Sequence, residues 1–540
     1  MPIDLSLTIP DLLRRAVEEH GDEVALVTKW NGRFEPETWR ELLMGVGSFL
    51  RLIGHAQLRA GELAVHISGN RREWALFDLA CHLCGLVHVP LHATLSAAQL
   101  AEQIRHSGAR HVFLGDDEQQ AKLVTIGEQL NIIRYDVLQR SKSPRSNAGQ
   151  LQAADIRPDD VATILYTSGT TGEPKGVMLT QRNLSFNAQA VVECFGDRAE
   201  RETKLNFLPL SHVFARTCDL YAWLVRGSTL AIAESRETVL DDLQVVQPTT
   251  INGVPYFYDR LRRLLCERGL DKTPGALQQL LGGRIRSCCS GGAPLAPVTI
   301  DFYAEQGVPL YQGYGLTESS PVITMSSASQ FRPGTSGRPL AGVEICLADD
   351  GELLTRGPHV MQGYYENPQA TEETIRNEWL HTGDLGQIDA DGYLRIIGRK
   401  KEMIVLSTGK KVAPSTLENK LSHDPLIAQV MIVGEGRSHL AALIVPQPEA
   451  LRAEIANYGI ELASRAEALV HPQVLAIYLE RVQKYLEDLS PSHQVHHVVL
   501  LPRALSMEQG ELTAKLSLRR EVIASNFAAE IERMYQGTPC

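Results

Sequence analysis

The chain predicts an α/β protein, with a large N-terminal domain of several α/β subdomains and a smaller, mobile α+β domain at the C-terminal end. Three observations predict this. Strand-length apolar runs alternate with longer amphipathic segments through the first half, hairpin signals gather after Gly342, and beyond Arg399 a shorter pattern of strands and helices begins. With 540 residues and 44% hydrophobic content the chain can bury several cores; roughly two to four structural units follow from that size. The domain borders are placed at 1–398 and 399–540, with a hinge near 399–402.

Taken in order, the apolar runs 24–27, 63–67 and 112–114 read as strands with helical patterns between them. Residues 74–87 form a long apolar run that reads as a buried helix and carries Cys81 and Cys84. Residues 141–150 are polar and aperiodic, which predicts a surface connection between two subdomains. The run 161–165 is the next strand. Asp349-Asp350-Gly351 and Asp391-Gly392 are hairpin turns, since both offer the residue types that accept positive φ. In the C-terminal part, 403–406, 429–433 and 440–445 read as strands.

A formal charge of -11 argues against a general affinity for nucleic acid or anionic membranes. The Cys81-x-x-Cys84 pair has no second pair to complete a zinc site, so the nine cysteines read as reduced thiols, without disulfides, in a cytoplasmic protein. The N-terminal residues lack a basic segment followed by an apolar core, and no apolar stretch reaches the roughly 18 residues of a spanning helix. Contact with a membrane is therefore expected to be peripheral at most. His493, His496 and His497 cluster without a cysteine or carboxylate nearby and read as surface residues.

Directly after the strand at 161–165 comes Tyr-Thr-Ser-Gly-Thr-Thr-Gly-Glu-Pro-Lys-Gly, residues 166–176. Gly169, Gly172 and Gly176 let backbone N–H groups turn inward around an anion. Thr167, Ser168, Thr170 and Thr171 add hydroxyl donors, and Lys175 adds a charge. The loop is suited to a polyphosphate, although Pro174 before the lysine departs from the Walker pattern.

Further motifs follow: Leu-Pro-Leu-Ser-His-Val-Phe (208–214), Ser-Gly-Gly-Ala-Pro (290–294), Tyr-Gln-Gly-Tyr-Gly-Leu-Thr-Glu (311–318), His-Thr-Gly-Asp (381–384) and Gly-Arg-Lys-Lys-Glu (398–402). In this order they resemble the acyl-adenylate-forming (AMP-binding) enzymes, from about Asp11 to Arg520, and most resemble the long-chain fatty acid CoA ligases. Gly-Pro-His-Val-Met-Gln-Gly-Tyr-Tyr (357–365) points the same way. The resemblance implies an ATP-dependent ligase that converts a medium- or long-chain fatty acid to acyl-AMP and then to acyl-CoA, with Mg2+ as cofactor and ATP and CoA as cosubstrates.

On this resemblance Glu318 holds Mg2+ against the phosphates, because a hard oxygen ligand suits that ion, and Thr317 donates to the α-phosphate. Tyr314 offers a ring face to adenine, with Gly291, Gly292 and Ala293 along the base edge. Asp384 accepts from the ribose hydroxyls and Arg399 donates to the same sugar. His212 is read either as a structural residue or as a group orienting the carboxylate. Val213 and Phe214 are apolar where amino-acid-activating relatives carry an aspartate. Lys401 matches the hinge about which the C-terminal domain turns, and Gly409 and Lys410 match the segment lining the CoA tunnel.

One departure stands near the C-terminal end. The ligases carry their adenylating lysine where this chain, reading Glu-Leu-Thr-Ala-Lys-Leu-Ser over 511–517, has Ser517. Losing a transition-state cation there costs on the order of 3 to 4 kcal/mol. In an extended segment Lys515 faces the same side as Ser517 and offers a replacement after a small register shift. The alternatives that remain open are acyl transfer to a carrier-protein thiol, with an acyl carrier protein as partner, and an adenylation-impaired relative that binds nucleotide or acyl-CoA.

Overall fold

The computed structural model describes residues 2–124, 130–135, 155–168, 174–196, 200–233, 235–506, 508–512 and 518–536; of Ser168 it describes the backbone alone. The predicted connection at 141–150 lies outside these residues.

Two large sheets organise the N-terminal part. In the nine-stranded sheet, Leu310–Gly315, Ser287–Ser290, Thr250–Gly253, Thr203–Asn206, Thr229–Ile232 and Val24–Trp30 run parallel as neighbours, with antiparallel strands at both edges. In the seven-stranded sheet, Asn131–Arg134, His111–Leu114, Leu63–Ile67, Val87–Leu91 and Val161–Ser168 are parallel, and Pro174–Thr180 and Gly363–Tyr364 complete it antiparallel. Parallel strands need crossovers, which the intervening helices supply. The helix Arg72–Cys84 is buried along nine consecutive residues from Trp74 to His82, so it is enclosed all round rather than along one stripe.

That helix is shorter than the apolar run predicted. It stops at Cys84 because Gly85 takes a left-handed conformation (φ 71°) and caps it, and the β-branched Val87 and Val89 then enter the strand Val87–Leu91. The two hairpins expected from Asp349-Asp350-Gly351 and Asp391-Gly392 are present, joining Glu344–Leu347 to Glu352–Arg356 and Trp379–Ile388 to Leu394–Arg399.

In the C-terminal part, Ile427–Val433 and Leu440–Pro446 pair antiparallel, and Val495–Leu500 adds parallel to the second. The period-2 alternation of a strand gives this sheet two apolar faces. Val430, Ile432, Ala442 and Ile444 pack under the helices Pro414–Leu421 and Pro472–Leu486, while Met431, Val433, Leu443 and Val445 pack against Arg520–Asn526 and Ala528–Tyr535. These two cores draw only on residues from Ile404 onward. Among the described residues no helix is long and apolar enough to cross a membrane.

Candidate functional site

The carboxyl ends of neighbouring parallel strands converge on one continuous cleft of 4310 Å³, several-fold larger than the roughly 300–1,000 Å³ of a single-ligand pocket. Gly291 and Gly292 follow the strand Ser287–Ser290, and Tyr314 lies near the end of the adjacent Leu310–Gly315, the crevice where open α/β sheets bind ligands. Gly291 packs closely here, since a Cβ there would stand 3.0 Å from the Phe214 ring and the ring would have to shift.

The Tyr314 hydroxyl donates to Asp384 Oδ2 at 2.6 Å, and Arg399 Nε donates to Asp384 Oδ1 at 3.0 Å. Hairpin register produces this arrangement, since Asp384 and Arg399 are direct cross-strand partners. Burial pushes the Asp384 carboxyl above its usual range, against the pull of Arg399 and Tyr314. Each carboxylate oxygen keeps a further lone pair for an incoming hydroxyl.

A second group forms around Glu318. Thr317 and Glu318 occupy a short 3-10 turn, Thr317–Ser319. Tyr364 donates its hydroxyl to Glu318 Oε1 at 2.9 Å, and Lys175 Nζ sits 4.9 Å from the centre of the Tyr364 ring, a cation–π distance. The strand pairing sets these positions: Thr167 lies opposite Lys175, and Tyr364 opposite Val177. Thr167, Lys175, Tyr314, Thr317, Glu318 and Tyr364 all line the cleft, as do Gly291, Gly292, Ala293, Asp384, Arg399 and Lys401. Gly169, Thr170, Thr171, Gly172, Lys515 and Ser517 lie outside the described residues.

His212 caps the short helix Val213–Ala215, its Nδ1 accepting from the Phe214 N–H at 3.1 Å. With Nδ1 accepting, the neutral ring carries its proton on Nε2. Its ring lies 6.3 Å from that of His92, whose Nδ1 is 2.7 Å from Ser211 Oγ. Gly409 and Lys410 sit on an exposed turn between the strands Ile404–Val405 and Lys411–Val412 and do not line the cleft.

Two features escaped the sequence reading. Tyr364 is one; the Gly-Tyr-Tyr run carried it, but nothing in the run said that its hydroxyl meets Glu318. The other anchors the wall of the cleft. The segment Arg216–Tyr221 is a π-helical turn, often found beside functional sites. Arg216 is fully buried and donates to Asp78 Oδ1 at 2.5 Å, and Tyr221 donates to Asp78 Oδ2 at 3.0 Å. His88 Nδ1 also lies 2.7 Å from Asp78, and His82 Nε2 lies 2.8 Å from the Tyr221 hydroxyl. Burial alone would raise the Asp78 carboxyl, but Arg216, His82 and His88 outweigh it and hold it well below its usual range. Asp219, on the same turn, accepts from Asn206 at 2.8 Å and Asn252 at 2.6 Å.

Residues 13–365 match the family model for the AMP-binding enzyme, and residues 401–539 match that for the AMP-binding enzyme C-terminal domain. The chain belongs to the AMP-binding enzyme family. Among relatives of this AMP-binding enzyme, long-chain-fatty-acid–CoA ligase FadD15 of Mycobacterium bovis is 33% identical over 88% of this chain and 88% of its own length. Human long-chain-fatty-acid–CoA ligase 1 is 28% identical over 86% of this chain and 77% of its own. Among solved structures, O-succinylbenzoate coenzyme A synthetase of Bacillus subtilis, in complex with ATP and magnesium ion, aligns with a TM-score of 0.75 at 24% identity, covering 94% of this chain and 98% of that one. The AMP-binding enzyme fold predicted from the motifs is thus the fold of this chain.

Proposed function

We propose that this AMP-binding enzyme activates a medium- or long-chain fatty acid with ATP to acyl-AMP and transfers the acyl group to CoA, as a cytoplasmic protein. The observation that carries the reading is the gathering along one cleft of Lys175, Tyr364 and Glu318 with Tyr314, Asp384 and Arg399. The names of the ligase relatives support the same reaction and the same acceptor.

In this reading Tyr314, Asp384 and Arg399 hold the nucleoside, with Gly291, Gly292 and Ala293 admitting the base. Lys175, Thr167 and the loop after it hold the phosphates, and Thr317 donates to the α-phosphate. Glu318 fits Mg2+: it is a carboxylate whose Oε1 accepts from Tyr364 alone among the hydrogen bonds given above, which leaves oxygen lone pairs facing the cleft. The ion supplies neutralisation of phosphate charge when bound. His212, fixed by its cap, orients the acyl carboxylate through Nε2–H. We read the domain border at 398/399, with Lys401 as the hinge and Gly409 and Lys410 brought to the CoA tunnel by rotation of the C-terminal domain.

Ser517 favours a second reading, in which adenylation is impaired and the protein passes preformed acyl groups to CoA or to a carrier-protein thiol. One experiment separates the two. Purified protein is given ATP, magnesium and a pool of acids, with and without CoA, and acyl-AMP and acyl-CoA are measured by mass spectrometry. Acyl-AMP that converts to acyl-CoA supports the ligase; transfer only from supplied acyl-AMP supports the second reading.

A further inference from the structure

One face of the nine-stranded sheet carries a polar row that the proposed reaction does not use. Lys204, Thr250 and Ser287 are register partners across three neighbouring parallel strands, so their side chains stand side by side on one face. All three line the cleft. The other face, through Leu205, Ile251 and Cys288, is packed apolar against the helices Val239–Val246 and Pro255–Glu267.

The next row toward the carboxyl ends is Asn206, Asn252 and Cys289. There the two asparagines are committed to Asp219, and Cys289 joins an apolar wall with Val191, Cys218 and Met325. Lys204 Nζ donates to the Cys218 carbonyl at 2.7 Å. Thr250 and Ser287 differ from all of these. They are 6% and 5% exposed, and neither Thr250 Oγ1 nor Ser287 Oγ has a hydrogen-bond partner among the described residues.

Both hydroxyl oxygens are covered, so each must turn about its Cα–Cβ bond to meet the cleft; two adjacent buried hydroxyls without a partner carry a cost that a bound oxygen then removes. Ser287 stands three residues, roughly 10 Å, below Ser290 along its strand. It is therefore remote from the carboxylate end of an acid held near His212 and Gly291. Deeper still, Arg226 and Glu202 form an ion pair, Nε to Oε2 3.7 Å, on the same cleft. A purely alkyl tail would lie across this row and keep its hydroxyls unpaired.

We propose that Thr250 and Ser287 select an acid whose aliphatic chain bears a hydroxyl group far from the carboxylate. This inference deepens the fatty-acid reading and rests on it: the chain passes between the apolar wall of Val191, Cys218 and Cys289, and its hydroxyl pairs with the two side chains beyond. Each can donate and accept, so together they satisfy both the proton and a lone pair of a substrate hydroxyl. Sites built to bond a substrate hydroxyl discriminate strongly against the analogue that lacks it.

The test is titration calorimetry on the full chain with saturated acids of one length, each carrying a single hydroxyl at a successive carbon, against the unsubstituted acid. At least one hydroxylated acid is expected to bind on the order of tenfold more tightly than the plain acid. The double variant Thr250→Val with Ser287→Ala is expected to bring its affinity down to that of the plain acid. Equal binding of the plain acid and every hydroxylated acid by the wild type overturns the inference, and so does a preference that survives in a folded double variant. Acyl-AMP formation is measured in parallel. A binding preference without adenylate from any acid sinks the ligase reading and leaves the selectivity standing, whereas rapid adenylation without any preference does the reverse.

Discussion

Asp384 receives the Tyr314 hydroxyl on one oxygen at 2.6 Å and Arg399 Nε on the other at 3.0 Å, so one carboxylate locks an aromatic ring from the large sheet to the last residue of a hairpin. The Tyr314 side chain is thereby tethered at its hydroxyl before any nucleotide arrives. Tyr314→Phe keeps the ring and loses the lock. It is expected to raise the KM for ATP by roughly tenfold or more, the worth of one charge-assisted hydrogen bond, with a smaller change in kcat. An unchanged KM would show that the ring is oriented by packing alone.

Glu318 carries a different expectation, because the proposed role is in charge stabilisation. Glu318→Gln keeps an acceptor for Tyr364 but removes the charge. On the order of 100-fold should be lost from kcat, with a rise in the magnesium concentration needed for half-maximal rate. A loss of rate at unchanged magnesium dependence would assign Glu318 to the local hydrogen-bond network with Tyr364.

Removing Asp78 should unfold the wall of the cleft. Asp78→Asn leaves the fully buried Arg216 without its counter-charge, and breaking a buried pair in this way costs about 3–5 kcal/mol. The denaturant midpoint is expected to fall accordingly. A shift below about 1 kcal/mol would mean that Arg216 finds water or another acceptor.

The same network makes folding sensitive to acid. Burial, only partly opposed by Asp78, pushes His82 down to about 3. Burial reinforced by Arg216 pushes His88 down to about 4. In the unfolded chain both titrate near 6.5, so as pH falls below that value the unfolded state takes up protons that the folded state refuses. Stability should therefore be flat above about pH 7 and decline from pH 6.5 toward 4, each histidine adding up to about 1.4 kcal/mol per pH unit. Urea midpoints measured between pH 8 and 5 check this, and His82→Gln should reduce the slope.

At the C-terminal end the expectation comes from sequence. If Lys515 supplies the adenylating charge, Lys515→Ala abolishes acyl-AMP formation and spares thioester transfer from synthetic acyl-AMP. Ser517→Lys then changes little. A large gain of adenylation in Ser517→Lys would instead identify a chain that has lost its first half-reaction.

Much of the fold was legible because strand-length apolar runs and turn chemistry are local signals: the hairpins at Asp350-Gly351 and Asp391-Gly392 form where those residues stand. The helix beginning at Arg72 was overextended because a fully buried helix and a buried parallel strand are both apolar without periodicity, and only the conformation of Gly85 divides them. The motif residues on the cleft were legible through resemblance, and strand register then explains why Asp384 meets Arg399. What stayed hidden is non-local. Asp78 and Arg216 are 138 residues apart, and Tyr364 and Glu318 46 apart, so no pattern along the chain could announce either contact.

The π-helical turn Arg216–Tyr221 sets a limit on how descendants of this chain can vary. Such a turn holds one residue more than an α-helical turn. Deleting a residue within it would restore ordinary winding and leave the flanking helices roughly in place, but would turn Arg216, Asp219 and Tyr221 relative to one another by some tens of degrees. Asp78 anchors Arg216 and Tyr221, and the paired asparagines anchor Asp219, so neither end is free to follow that rotation. Insertions and deletions should therefore accumulate in the connecting loops of its lineage and be absent here, leaving a stretch of constant length whose side chains, such as Cys218, evolve by substitution alone.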